Sequence, residues 1–182
     1  MRVDILNVLP EDLPVSLLEA KAHVRIDYNK EDDLINDLIR TATAYVEKYT
    51  GKALINRTIT LLVEKKTAEN LYLLYPPIVS ITTVSLPDGV SSGVETYTAT
   101  TDYILRGISN KYIELPNTEV KVVYVAGYGG ADDVPPIFKE AILKLVYDMW
   151  EHRGESVTGT ISQYTKQSIA RLLYSERETI LC

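Results

Sequence analysis

The period of the apolar residues changes at Arg57, and this change restricts the chain to folds in which helices and strands are segregated. Upstream, "EDDLINDLIRTATAYVEKYTG" repeats Leu34, Ile35, Leu38, Ile39, Ala42, Tyr45, Val46 and Tyr49 at helical spacing. Glu31, Asp32 and Asp33 fall in its first turn and Lys48 in its last, signs that match the helix dipole. Asn29 is the expected N-cap and Gly51 the expected stop. Downstream, "RTITLLVEK", "NLYLLY", "IVSITTVSL", "ETYTAT", "DYILRG", "KYIELP" and "EVKVVYVAGY" are short and rich in β-branched and tyrosine residues, with proline and glycine between them. With no helical segment separating them, the expectation is an antiparallel meander or small barrel.

Helical spacing returns after "GGADDVPP". In "IFKEAILKLVYDMWEHRG", Phe138, Ala141, Ile142, Leu145, Val146 and Met149 share one face, and Lys139, Glu140, Lys144 and Asp148 the other. A last short helix is expected around Gln167 to Tyr174, burying Ile169, Leu172 and Leu173. Near the start, Ser16 and Glu19 have the spacing of a capping box for a helix of two to three turns. The fold class is therefore α+β: N-terminal helices, a central antiparallel β region, then C-terminal helices. The 182 residues suit one domain. Its parts are an extension over 1–15, a helical part over 16–51, a β-rich part over 57–127 and a helical part over 135–177, with a flexible connection at 154–164.

Strand, glycines, then helix is the setting of a phosphate-binding loop, so "VVYVAGYGGADDVPP" needs a test. The dinucleotide fingerprint wants glycine at its first, third and sixth positions; Gly127 and Gly129 fit, but the sixth is Asp132. No lysine follows, and two carboxylates stand where phosphate would sit. The turn reads as backbone punctuation, with Pro135 and Pro136 starting the next helix. His23 and His152 are the only histidines and Cys182 the only cysteine, so no zinc set is available. "DGVSSG" at 88–93 lacks the ligand alternation of a calcium loop. No serine stands in a nucleophile elbow, and Ser92 lies in a turn where serine is common. His152 reads as a basic group closing a helix. No catalytic, cofactor-binding or metal residues are expected.

The formal net charge of -6 disfavours a broad grip on phosphates, and Lys65–Lys66 is the only adjacent basic pair. The lone cysteine fits a reducing compartment, "MRVDILNVLPEDLP" is too broken for a signal peptide, and no apolar run has the length of a membrane span. Thirteen tyrosines stand against one phenylalanine and one tryptophan. Tyrosine offers a large apolar area with a wettable tip, which serves half-buried strands and protein interfaces alike.

Several stretches together resemble the head–tail connector (adaptor, or head-completion) family of long-tailed bacteriophages. They are the helix end at Lys21, Ala22, His23, Val24 and Arg25; the acid-led helix closing on Tyr49, Thr50 and Gly51; "PPIVSITTV"; the strand, glycine turn and helix from Val122 to Gly154; and Leu172, Leu173 and Arg177 in "ARLLYSER". Ser175 and Glu176 depart from the proline and tyrosine the family often has there, and residues 1–12 and 178–182 have no counterpart. The resemblance covers most of Ser16 to Arg177. It implies a structural protein without catalytic residues, found in the virion neck and in the host cytoplasm during assembly. Its copies would form a homo-oligomeric ring, twelvefold when assembled, between the portal protein and a tail or stopper protein. DNA would pass through without sequence-specific contacts, which suits an acidic lumen, and no membrane is involved. The alternative is a DNA-packaging accessory that binds nucleic acid. The resemblance also points to the C-terminal segment, with Tyr164, Ile169, Leu172, Leu173 and Tyr174 as contacts to portal or a neighbouring subunit. On that view, removing Gln167–Cys182 spares the fold and abolishes portal attachment.

Overall fold

The structure, a computed structural model, describes residues 2–7, 10, 12–64, 70–85, 104–107, 111–114, 119–152 and 161–177. In chain order these form β1 (Arg2–Asn7), α1 (Leu17–Val24), α2 (Asp32–Thr50), β2 (Arg57–Glu64), β3 (Asn70–Tyr72), β4 (Ile78–Ser85), β5 (Ile104–Arg106), β6 (Tyr112–Glu114), β7 (Val120–Ala126), α3 (Pro136–Glu151) and α4 (Gln163–Leu172). Lys65–Lys66, the turn at 88–93, the run "ETYTAT" at 95–100, most of the 154–164 connection and Cys182 lie outside the described residues. The chain divides into two compact units: Met1–Pro10 with Asn56–Tyr128, and Glu11–Ile55 with Gly129–Cys182.

The first unit holds the strands. One antiparallel sheet has the order β1-β2-β7-β4 and a second the order β3-β6-β5. The α+β class stands, but the expected meander or barrel does not describe the arrangement. Among the described residues neither sheet closes, and β7 returns to lie between β2 and β4. Closure requires that the edges pair, and β1 and β4 are the edges of the larger sheet. Two register shifts, between Ile78 and Ser80 and between Ile81 and Thr83, break the regular ladder of β4. The segment left as an N-terminal extension contains β1, which pairs regularly from Arg2↔Glu64 to Asn7↔Ile59.

Along β7, Val120, Val122, Tyr124 and Ala126 are buried while Lys121, Val123 and Val125 are half-exposed, the two-residue period of a sheet with one buried face. β2 alternates in step, burying Ile59, Leu61 and Val63. Tyr124 is wholly buried, and its hydroxyl donates to the Leu74 carbonyl at 2.9 Å. Burial drives its phenol well above the ordinary range, so this group stays a donor at every physiological pH.

The second unit is helical. Ser16 and Glu19 form the expected capping box: the Glu19 carboxylate accepts the Ser16 N–H at 2.7 Å, and the Ser16 hydroxyl accepts the Glu19 N–H at 3.2 Å. The Ser16 hydroxyl, which also donates to Glu19, holds that carboxyl below the usual range, helped by the Ser16 N–H. α1 ends with Arg25 in the left-handed region (φ 63°), and the Ile26 N–H returns to the Lys21 carbonyl at 3.0 Å. Buried Lys21 then reaches both Asn29 and Asp32, at 2.7 Å each. This accounts for one departure from expectation: the Asn29 side chain is engaged by Lys21, and α2 starts at Asp32 with Glu31 as N-cap. Gly51 (φ 73°) ends α2 as expected. Ile35, Ile39, Ala42 and Val46 of α2 are buried, as are Phe138, Ala141, Ile142, Leu145 and Val146 of α3, and the two helices pack together.

Tyr124→Phe leaves the Leu74 carbonyl without its donor. The expected loss is about 1–2 kcal/mol, read as a lower urea midpoint at constant slope. An unchanged midpoint would show that this hydroxyl contributes nothing to the fold.

Candidate protein interface at the last helix

α4 is fixed at its first turn by a buried carboxylate. Asp148, expected on the solvent face of α3, is only 6% exposed because the start of α4 covers it. Its Oδ2 accepts the Ser162 N–H, and its Oδ1 accepts the hydroxyls of Ser162 and Thr165, all at 2.8 Å. Burial pushes the Asp148 carboxyl up, but the backbone and hydroxyl donors of Ser162 and the Thr165 hydroxyl outweigh it and hold the group below its ordinary range. The Ser162 hydroxyl also accepts the Thr165 N–H at 3.2 Å and so caps the helix. α4 therefore begins at Gln163, earlier than Gln167. The Ser-x-x-Thr spacing in "SQYT" is the signal that could have placed it.

Further along, the Tyr49 hydroxyl donates to the Ala170 carbonyl at 3.2 Å, and Lys52 pairs with Glu176 at 3.0 Å. The Arg177 guanidinium lies 5.7 Å from the Tyr49 ring centre. These contacts seat α4 within its own unit and divide the five expected interface residues. Ile169 and Leu173 are buried in the unit, and Leu172 is half-buried. Tyr164 and Tyr174 project outward, 83% and 77% exposed. Deleting 167–182 would thus strip Ile169 and Leu173 from the core, so such a deletion would not separate docking from folding.

The glycine turn has a structural account. Gly127 and Gly129 have φ of 137° and 139°, a region that disfavours side chains. The Asp133 carboxylate folds back to accept the Gly130 N–H at 2.9 Å, and a Cβ on Gly129 would lie 2.8 Å from the Asp133 Cβ. Pro136 occupies the first turn of α3. The acid therefore occupies the donor that a phosphate would need. Among the described residues no group of three or more His, Cys, Asp or Glu side chains is placed to hold a metal, and no helix is long and apolar enough to cross a membrane. His23 meets the Tyr147 ring edge-on at 6.2 Å, and His152 Nδ1 lies 2.8 Å from the Asp148 carbonyl oxygen.

Residues 14–77 match the family model of the phage gp6-like head-tail connector protein. Over that stretch, about a third of its length, the chain is similar to the head–tail connector family. The match spans α1, the Lys21 bridge, α2 and the first strands after it. The chain's whole fold is similar to that of a chain in the neck of an empty gene transfer agent (GTA) particle computed with C6 symmetry. The TM-score there is 0.78 and the identity 20%, covering 100% of this chain and 98% of the other. A chain in the virion of a native GTA particle aligns at TM-score 0.77 and 20% identity, over 98% and 97% of the two chains. One in the neck of a native GTA particle computed with C12 symmetry aligns at 0.74 and 19%, over 100% and 98%. No curated protein matches the chain in sequence.

Asp148→Asn should cost about 1.5–3 kcal/mol at neutral pH, because a charge-assisted acceptor is lost and an amide donor faces two hydroxyls. The carboxyl's folded pKa lies below its unfolded value, so its contribution is present above about pH 4 and lost as pH falls through the folded value. Urea midpoints of wild type and variant should therefore differ at pH 7 and converge below pH 4. Equal midpoints at pH 7 would contradict this anchor.

Proposed function

We propose that the connector is a structural component of a phage or prophage neck, whose copies form a ring between the portal vertex of the capsid and the tail. The observation that supports this best is the end-to-end match of the fold to chains from particle necks, beside the family match over residues 14–77. The C6 and C12 symmetries of those necks fit a twelvefold ring. A ring closed by heterologous contacts needs two different patches on each subunit. The chain acts by holding partners together, with no chemistry of its own. Its partners are further copies of itself, the portal protein, and a tail or stopper protein. It resides in the virion neck, having assembled in the host cytoplasm as one head–tail connector domain over 1–182. DNA passes the ring without sequence-specific contacts; a net charge of -6 supports passage over grip.

Tyr164 and Tyr174 remain the site residues of this reading, as contacts to portal or to a neighbouring copy, with Leu172 at their margin. Particles assembled without the connector should be DNA-filled or leaking heads lacking tails under the electron microscope, with supplied wild-type protein restoring attachment. Normal tailed particles in its absence would contradict the reading. A DNA-packaging accessory would instead bind duplex DNA with an affinity falling steeply as salt rises.

A further inference from the structure

The helical unit carries two surface features of opposite character. The first is the outward face of α4. Tyr164 and Arg171 are seven residues apart, two helical turns, and so lie nearly in line. Tyr174 continues the stripe in the 3-10 turn that follows. All three are exposed, and tyrosine with arginine is the composition that dominates interface energetics.

The second is a surface groove of about 560 Å³ between the segment leading into α1 and the first turns of α2. Leu13 and Leu17 supply apolar walls, Asp12, Asp33 and Asp37 supply acid, and Arg40 is its one basic lining residue. Among the described residues no ion pair neutralises Asp12, Asp33, Asp37 or Arg171. The acids of the groove exceed its single base, so the charge complements Arg171, and the apolar walls suit tyrosine rings.

No residue of the stripe lines the groove, and the two are of opposite chemistry. A patch that pairs with a copy of itself needs self-complementarity, and neither feature has it. We infer that the Tyr164–Arg171–Tyr174 stripe of one connector docks in the Asp12–Asp33–Asp37 groove of the next copy, a head-to-tail contact that can repeat around a ring. This rests on the ring reading above and names the two surfaces that make it.

The test uses the full chain and charge reversals at exposed positions, which spare the fold. Sedimentation velocity across a hundredfold concentration range at low salt should show self-association of the wild type. Arg171→Glu and Asp37→Arg should each weaken it at least tenfold, and a one-to-one mixture of the two variants should recover it, because both resulting contacts then pair opposite charges. Added salt should weaken the wild-type contact. Self-association unmoved by both reversals would overturn this contact and leave the ring reading standing. Arg171→Glu that blocks portal binding while sparing self-association would overturn it too, by giving the stripe to portal. A wild type that shows no self-association at low salt would also overturn it; the ring reading would then be judged by the tailless-particle test.

Discussion

The Asp148 carboxylate takes three hydrogen bonds from the start of α4 while lying almost out of reach of water. A buried charge is tolerated only when its acceptor positions are filled, and Ser162 and Thr165 fill them. That arrangement fixes where α4 begins and which side of it turns inward. Ile169 and Leu173 then face the core, so Tyr164, Arg171 and Tyr174 must face outward. The outer surface of the last helix is therefore a consequence of one carboxylate on the preceding helix. A flexible tail would lose entropy on docking; a helix already seated on its own unit presents its side chains at little further cost.

A second interaction plays the same part between α1 and α2. Lys21 is buried and joins the end of α1 to Asn29 and Asp32, so the turn between α1 and α2 is held by a side chain rather than by its own backbone alone. The left-handed Arg25 gives the chain the reversal that brings Lys21 there. These residues belong to the stretch that matches the connector family, and their work is architectural. The glycine turn is similar: Asp133 satisfies the donor that a nucleotide would otherwise use.

Local grammar was readable from the residues alone. The Ser16–Glu19 box, the stop at Gly51, the buried face of α3 and the punctuation at Gly127 and Gly129 each depend on side chains within a few positions of one another. What stayed hidden was non-local. β1 pairs with β2 across the whole helical segment from α1 to α2, and no period in "RVDILN" announces that partner. The return of β7 between β2 and β4 is likewise a matter of long-range register. Asp148 sits at a position that reads as solvent-facing, and only the arrival of α4 buries it. Tyrosine content did not sort the tyrosines either: Tyr124 is wholly buried while Tyr164 and Tyr174 are among the most exposed. Of the three interface candidates that the helical period places inward, Ile169 and Leu173 are core residues and Leu172 is half-buried.

The central claim is that copies of this chain close into a ring that portal and tail share. Particle mass by light scattering behind size exclusion, for this protein alone and mixed with the proposed portal partner, tests it most directly. The account predicts a discrete species with about one copy of this chain per portal subunit, whether or not the free protein has already closed. A connector that elutes apart from portal, or binds it without a fixed stoichiometry, would contradict the account.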